Sequence, residues 1–331
     1  MNRVVTLQDI AKDLGISKMT VSAVLSGKAD NLRISKNTQS RVTEAAQRLG
    51  YRPNELARSL RRRFTNIIGF YVGHIGISAS DPWLSEIIVG LQEGCGACQK
   101  DLLLHSISPI DEEEAIYTSL TNGRSDGLVY YGPKNTPLVE RLCASSIPVV
   151  AIVDALPQIP SVVGDDVSGS RKIVEFLAQE GHKRVLYCSQ IMEASSVHQR
   201  QDIFFKEAQR HGIIVDNWDV VKIGKEKELL EHWRQLPTER RWTALVAWDD
   251  LTAYRIWATC HREGVSVPKD FGIIGFDGIS SSTSLLQLTT VRVPWREVAQ
   301  QAIHNLVAMV DGVEVLPLKV LPVEFVTGNS T

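Results

Sequence analysis

The sequence predicts a small all-α head joined to a larger α/β body with two doubly wound parallel sheets. Residues 1–63 contain 13 basic against five acidic residues, whereas the rest of the chain contains 23 basic against 33 acidic residues. The head carries apolar residues at helical spacing. From Asn66 onward, short apolar runs alternate with amphipathic stretches, which is the pattern of parallel strands joined by helices. A chain of 331 residues is long enough for two or three domains of about 100–150 residues each.

Two helices separated by a glycine turn are predicted at the start of the head. Thr6 and Asp9 have the spacing of a capping box, and Gly15 can end the first helix in the left-handed region. Ser17 then caps a second helix. The apolar stripes of the two helices are Leu7, Ile10, Ala11, Leu14, Val21, Val24 and Leu25. This is the helix-turn-helix layout, although similar hairpins also occur in helical bundles that bind no nucleic acid.

The outer face of the second helix is predicted to carry Lys18, Met19, Ser22 and Ala23. In a helix-turn-helix, this helix lies in the major groove and its first residues meet base edges. A third helix begins after Ser35 and ends at Gly50, with an inner stripe of Val42, Ala45, Ala46 and Leu49. The excess of basic residues in the head is consistent with a surface that meets phosphate groups.

The body contains strand-like runs, most of which end in glycine or aspartate. These runs are NIIGFYVG, DGLVYYG, PVVAIVD, RVLYCS, VVKIG, ALVAWD and GIIGFD, and residues 82–101 form a helix after the first of them. Ligands of such sheets bind outside the carboxyl ends of the strands. We therefore expect the binding residues of the body to follow its strands.

Several classes of protein are disfavoured by the motifs that are missing. The sequence has no P-loop, no HExxH and no dinucleotide fingerprint, and its eight His residues lack metal-ligand spacing. We therefore expect no enzymatic activity, no cofactor and no metal. The pair Cys95 and Cys98 is interpreted as small packing residues of a helix. The N-terminus lacks the apolar core of a secretory signal, so we expect a cytoplasmic protein without a membrane span.

Two long segments of the head resemble the LacI/GalR family of bacterial repressors. They are TLQDIAKDLGISKMTVSAVLSG and ISKNTQSRVTEAAQRLGYRPNELARSL, and the likeness runs from Thr6 to Leu60 apart from one short insertion. The body is similar as well, in the segments DGLVYYG, IPVVAIVD, GHKRVLYCS, VPKDFGIIGFDG and LTTVRVP. The resemblance implies a periplasmic-binding-protein-like body of two lobes.

The resemblance also implies domain boundaries. The helix-turn-helix domain is expected at residues 1–53, a hinge helix at 54–63, and an effector-binding and dimerisation domain at 64–331. Because the chain of such a body crosses between lobes more than once, each lobe combines two segments. The N-terminal lobe is expected at about 64–164 with 294–321, and the C-terminal lobe at about 165–291 with 322–331.

The family's DNA contacts can be transferred only to matching positions. Lys18, Met19, Ser22 and Ala23 match positions that meet bases, and the family commonly has Arg where this chain has Ala23. Alanine offers a methyl contact but cannot hold a guanine bidentately, so the resemblance implies an atypical operator half-site. The remaining matches are Ser35, Thr38 and Asn54, which would anchor phosphates, and Ala57 and Leu60, which would pack and wedge in the minor groove.

The family's effector contacts match five positions of the body, namely Trp83, Asp154, Arg200, Trp248 and Asp277. Carboxylates accept and a guanidinium donates hydrogen bonds, so these side chains suit a hydroxylated ligand. Trp248 stands where the family usually has Asn, so it would stack on a sugar face instead of pairing with it. The other tryptophans, at 218, 233, 242, 257 and 295, are interpreted as packing or surface residues.

The implied function is that of a dimeric repressor that binds a pseudo-palindromic DNA operator under control of a small sugar or sugar derivative. A transport protein with the same body would need an export signal and no basic head. An activator, or a repressor aided by a corepressor, stays an alternative, because the sign of regulation depends on the position of the operator.

Overall fold

The computed structural model describes residues 5–27, 29–52, 64–74, 81–107, 110–189, 194–219, 225–279 and 287–331. Contacts divide the chain into two compact units, Met1–Thr65 and Asn66–Thr331. The predicted fold class, an all-α head and an α/β body, is confirmed. None of the described helices has the length and apolarity that crossing a membrane requires.

Three helices form the head: α1 (Leu7–Leu14), α2 (Lys18–Leu25) and α3 (Lys36–Leu49). The amide of Thr6 donates to the Asp9 carboxylate at 2.9 Å, and Ser17 Oγ accepts from the Thr20 amide at 3.0 Å. Gly15 ends α1 with a φ of 65°, which a residue without Cβ adopts at low cost. The helices share one small core of Ile10, Ala11, Val21, Val42, Ala45 and Ala46.

The first sheet of the body has the strand order β11-β5-β4-β3-β1-β2, and all of its pairings are parallel. Its strands are β1 (Ile67–Val72), β2 (Asp101–Leu104), β3 (Gly127–Tyr131), β4 (Val149–Ile152), β5 (Ser161–Gly164) and β11 (Leu318–Leu321). Its helices are α4 (Pro82–Ala97), α5 (Glu113–Thr121), α6 (Pro137–Ala144) and α11 (Trp295–Val310).

The second sheet has the order β12-β10-β9-β8-β6-β7. Its strands are β6 (Arg184–Ser189), β7 (Ile214–Asp219), β8 (Ala244–Ala247), β9 (Gly272–Asp277), β10 (Thr289–Arg292) and β12 (Glu324–Val326). Its helices are α7 (Asp166–Gln179), α8 (Ser195–Arg210), α9 (Glu226–Gln235) and α10 (Asp250–Arg262), with a short 3₁₀ turn at Thr238–Arg240. The segment VVKIG, predicted as a strand, lies outside the described residues, and β7 precedes it.

Both sheets are covered on two faces, as a doubly wound fold requires. Phe70, Val129 and Val150 point into one core, while Tyr71 and Leu128 beside them point into another. This alternation follows from the two-residue period of a strand. Buried on both faces, the strands read as nearly continuous apolar runs, and this is the signal that made them visible in the sequence.

The chain crosses between the sheets after β5, after β10 and between β11 and β12. One edge strand departs from the predicted parallel order, because β12 pairs antiparallel with β10. Only two residues separate β12 from β11, so the chain enters the second sheet from the side where it crosses over. The carboxyl ends of the other strands lie on that side. Because β12 begins there, it runs antiparallel to them.

Candidate functional site

The first turn of α2 presents an exposed polar and apolar face. Lys18 is exposed, and the side chain of Met19 has 73% of its surface accessible. Ser17 holds this turn in place through its cap bond, which leaves the side chains that follow directed outward. Ser22 is half-buried. The expectation that Ala23 lies on the outer face is wrong: it is only 6% exposed, because a single methyl group projects less than its neighbours and is covered by them.

The predicted phosphate anchors Ser35 and Thr38 sit together at the start of α3. Their hydroxyl groups lie 2.9 Å apart, and Ser35 Oγ also accepts from the Thr38 amide at 3.3 Å. Ser35 is exposed. A helix N-terminus with free amides and hydroxyls is a suitable surface for a phosphate group. The other predicted contacts in this part of the chain, Asn54, Ala57 and Leu60, lie outside the described residues.

A cleft opens in the body where strands of both sheets end. The free space inside it is about 470 Å³, counting the part that is open to solvent. The residues that line the cleft are Asp81, Trp83, Tyr131, Val153, Ser196, Val197, Arg200, Trp248, Asp249, Asp277 and Trp295. Four of the five residues predicted to contact an effector are therefore brought together: Trp83, Arg200, Trp248 and Asp277.

Arg200 is the centre of the polar wall of the cleft. Its side chain is 5% exposed, and its Nε donates to Asp166 Oδ1 at 2.7 Å. Its Nη1 donates to Asp277 Oδ1 at 3.3 Å and to the carbonyl oxygen of Trp248 at 3.4 Å. The guanidinium carbon lies 3.8 Å from the ring centroid of Phe276. A planar guanidinium held at four sides has one orientation, so it can present a fixed donor to a ligand.

The carboxyl groups around Arg200 have perturbed acidities. Burial raises the pKa of Asp277 well above its ordinary value, although the charge of Arg200 opposes this. Burial also raises the pKa of Asp166, again against Arg200. Burial lowers the pKa of the Arg200 guanidinium itself, but Asp166 and Asp277 outweigh it and keep that pKa above its ordinary value. The arginine therefore stays charged in its buried position.

Asp154, the fifth predicted effector contact, lies beside the cleft at the end of β4 and is 3% exposed. Its Oδ1 accepts from the Ser196 amide at 2.7 Å and from Ser195 Oγ at 3.1 Å, and His74 Nε2 lies 3.5 Å from its Oδ2. Burial opposes ionisation of Asp154, but the nearby His74 side chain and the bonds from Ser196 outweigh burial and hold its pKa below the ordinary value. Because β4 and α8 belong to different sheets, Asp154 links the two lobes.

Aromatic rings form another wall of the cleft. Trp83 lies with its ring centroid 5.2 Å from that of Tyr131 and 5.6 Å from that of Trp295. Trp248 stands at the end of β8, where its Nε1 donates to Thr252 Oγ1 at 3.0 Å. The interpretation of Trp295 as a packing residue agrees with its burial in the hydrophobic core, and its side chain also lines the cleft.

Sequence reasoning also missed Asp81, Tyr131 and Asp249. Asp81 and Asp249 are the N-caps of α4 and α10, and Tyr131 is the last residue of β3. Their position after a strand or before a helix was visible in the sequence. What the sequence did not indicate is that two sheets bring all three to one cleft.

Two residues at the cleft have backbone angles that L-amino acids rarely adopt. Val153 has a φ of 72° and Asp277 a φ of 117°. Such conformations cost about 1–3 kcal/mol each and persist where the surrounding structure imposes them, commonly at binding sites. Among the residues that the structure describes, no group of His, Cys, Asp and Glu has the arrangement of a metal site.

A helix-turn-helix head on a body with a polar, aromatic cleft at its strand ends defines a class of protein, the ligand-binding transcriptional regulators. Comparisons with known proteins agree with this class. The profile of the bacterial regulatory proteins of the lacI family matches residues 6–54, and the profile of the periplasmic binding protein-like domain matches residues 174–331.

Relatives match over nearly the whole chain. Catabolite control protein A from Priestia megaterium is 29% identical over 91% of this chain and 91% of its own length. The HTH-type transcriptional regulator AscG from Escherichia coli K12 is 28% identical, over 95% of this chain and 94% of its own. The crystal structure of the Lac repressor dimer bound to operator and the anti-inducer ONPF has a TM-score of 0.85 at 22% identity, with 99% of each chain covered. Residues 6–54 therefore form a DNA-binding domain of the lacI family of bacterial regulatory proteins, and the chain is a DNA-binding transcriptional regulator.

Proposed function

We propose that this regulator is a repressor that binds a pseudo-palindromic operator as a homodimer and that a small, hydroxylated, sugar-like effector controls its affinity for DNA. The observation that carries the proposal is a combination of two surfaces in one chain. The body has a cleft in which Arg200 is held in a fixed orientation, and the head exposes the first turn of α2. A twofold dimer places two heads on two half-sites, which accounts for the symmetry of the operator.

The proposed DNA contacts divide into two groups. Lys18, Met19 and Ser22 of α2 contact base edges, and buried Ala23 contributes at most the shape of that surface. Ser35, Thr38 and Asn54 contact phosphates and set the register, while Ala57 and Leu60 enter the minor groove from a hinge helix. Because α2 has Met19 and no arginine at position 23, it would favour operators that offer apolar contacts, such as the methyl group of thymine.

The proposed effector contacts are the cleft residues Trp83, Arg200, Trp248 and Asp277, with Asp154 acting beside them. Trp83 and Trp248 offer ring faces to the apolar side of a sugar, and Arg200 and Asp277 offer a donor and an acceptor to its hydroxyl groups. Because Asp154 links the lobes through Ser195 and Ser196, a ligand that changes their closure would also change this link.

Effector and DNA then influence each other reciprocally. A ligand that prefers one degree of closure of the lobes shifts the population toward that state, and the affinity for the operator changes by the same coupling factor. We further propose that the body consists of the two lobes predicted above, that a hinge occupies residues 54–63, and that the protein works in the cytoplasm without catalytic activity.

The proposal is tested by selecting DNA sequences from a random duplex pool with the purified protein at moderate salt. We expect enrichment of an inverted repeat with a flexible central step. Lys18→Ala should weaken binding to the selected site by about tenfold or more, since a charged contact at the DNA surface is lost. The exposed Lys269 of the body serves as a control, and Lys269→Ala should leave binding unchanged. Weak binding without sequence preference in the wild type would contradict the proposal.

A further inference from the structure

Acidic residues outnumber basic residues in the lining of the cleft. The carboxyl groups of Asp81, Asp249 and Asp277 line it, whereas Arg200 is the one basic residue among its lining residues. That guanidinium is already paired with Asp166 behind the wall and with Asp277 in front. Asp81 and Asp249 therefore face the cleft without compensation from Arg200.

As helix caps, Asp81 and Asp249 each accept a hydrogen bond from one backbone amide. Asp81 Oδ1 accepts from the Trp83 amide at 3.0 Å, and Asp249 Oδ1 accepts from the Thr252 amide at 2.8 Å. Within the described part of the chain, neither makes an ion pair. Burial raises the pKa of Asp81, and it raises the pKa of Asp249 to about 6. The bonds from Thr252 and the positive charge of Arg255 oppose the shift of Asp249, whereas the negative charge of Asp81 adds to it. Two carboxylates that repel each other across a cleft are stabilised when a cation enters between them.

The aromatic residues of the cleft point to the same ligand chemistry. Trp83, Tyr131, Trp248 and Trp295 all line it, and the first two are in ring contact. The face of an aromatic ring carries negative charge density and attracts an ammonium group, most strongly where water is excluded. Aromatic faces combined with carboxylates are the usual way in which proteins recognise small organic cations.

Trp295 requires a hydrogen-bond acceptor on the ligand. Its Nε1 is buried and has no hydrogen-bond partner among the residues that the structure describes, although the side chain lines the cleft. An indole N–H can only donate, and leaving it unpaired in a buried site costs about 1–3 kcal/mol. A ligand that satisfies it must carry an acceptor such as a hydroxyl oxygen.

We infer that the effector is a small hydroxylated cation, with an amino sugar as the representative class, rather than a neutral or phosphorylated sugar. This inference rests on the proposed function of the cleft as the effector site. The ammonium group lies between Asp81 and Asp249 against the aromatic wall, and the hydroxyl groups face Arg200, Asp277 and Trp295. A phosphate group in the position of the ammonium group would meet the carboxyl groups of Asp81 and Asp249 and be repelled.

The test compares matched pairs of probes on the full-length protein. D-glucosamine, D-galactosamine and D-mannosamine are titrated beside D-glucose, D-galactose and D-mannose, and beside their N-acetylated and 6-phosphorylated forms. Three of the seven tryptophans line the cleft, so the fluorescence of the protein responds to a ligand there, and calorimetry supplies the affinities. We expect at least one amino sugar to bind about tenfold tighter than its neutral parent.

Two substitutions locate the charge effect without removing the caps. Asp81→Asn and Asp249→Asn keep a residue that caps helices well, so the fold is retained while one negative charge is lost. Each should weaken binding of the amino sugar by about tenfold more than binding of the neutral parent. Asp311→Asn, at an exposed carboxylate after α11, is the matched control and should change neither.

Three outcomes would overturn the inference. They are a neutral or phosphorylated parent that binds as tightly as its amino counterpart, a preference for amino sugars that survives both substitutions, or no binding of any amino sugar. The DNA selection described above is independent of these titrations. Failure to select an operator would reject the proposed function, whereas a selected operator that responds to a neutral sugar would reject only the cationic effector.

Discussion

Arg200 shows how much of a binding residue can be inferred at the scale of a single side chain. Resemblance located it within the segment SSVHQRQDIFF. Its partners could not be read from the sequence, because Asp166 and Asp277 lie 34 and 77 positions away from it. Removing the arginine leaves two buried carboxyl groups without their counter-charge, which is far costlier than losing an exposed ion pair.

We therefore predict that Arg200→Met lowers the free energy of unfolding by about 3–5 kcal/mol at neutral pH, because Asp166 and Asp277 lose their counter-charge. The loss should shrink at acidic pH, where both carboxyl groups are protonated in either state. Arg171 pairs with Glu207 through a side chain that is 52% exposed, so Arg171→Met should cost about 0–1 kcal/mol. Denaturant unfolding followed by fluorescence measures both, and equal losses would show that burial of the pair is unimportant.

At the scale of an element, the contact between α4 and α11 depends on glycine. A Cβ placed on Gly90 would lie 2.5 Å from the carbonyl oxygen of Arg296, and one on Gly94 would lie 3.0 Å from Ile303. Gly96, in the exposed last turn of α4, has no atom within 4 Å of such a Cβ. The sequence EGCGACQK indicated that small residues pack this helix, and the burial of Cys95 agrees with that interpretation.

Gly90→Ala and Gly96→Ala are therefore predicted to have opposite effects on stability, although they lie on one helix. Gly90→Ala should destabilise the body by about 1–3 kcal/mol, because the backbones of α4 and α11 must separate. Gly96→Ala should stabilise it by about 0.5–1 kcal/mol, since alanine is the better helix former. Thermal unfolding distinguishes them, and destabilisation by both substitutions would contradict the assigned packing.

At the scale of the whole molecule, buried carboxyl groups make the stability of the body depend on pH. Burial raises the pKa of Asp249 to about 6 and that of Asp250 to about 8, and it raises the pKa of Asp277 well above its ordinary value. In the unfolded chain these groups ionise near about pH 4. Between that pH and its pKa in the folded protein, each group is ionised in the unfolded chain but protonated in the folded one. The folded state therefore loses stability as the pH rises through this range.

We predict that the unfolding midpoint of the body falls by about 5 °C or more between about pH 6 and about pH 9. The lowered pKa of Asp154 acts in the other direction and costs stability only as the pH falls below the ordinary range of a carboxyl group. Asp250→Asn should flatten the decline up to about pH 8, the pKa of Asp250 in the folded protein, whereas Asp311→Asn should not. Calorimetry at a series of pH values checks this, and a midpoint that rises toward pH 9 would refute the assigned burial.

The sequence alone determined the elements and the class of this protein. Helix caps at Thr6, Ser17 and Ser35 and apolar runs at the strands act locally, so neighbouring residues were enough to predict them. Resemblance then carried the prediction to four residues of the cleft. Only the tertiary structure decided that Trp295 lines the cleft, that Ala23 is buried and that Asp81 and Asp249 line one cleft. Such relations depend on which sheet ends and helices become neighbours, and that is determined by packing between segments far apart in the chain.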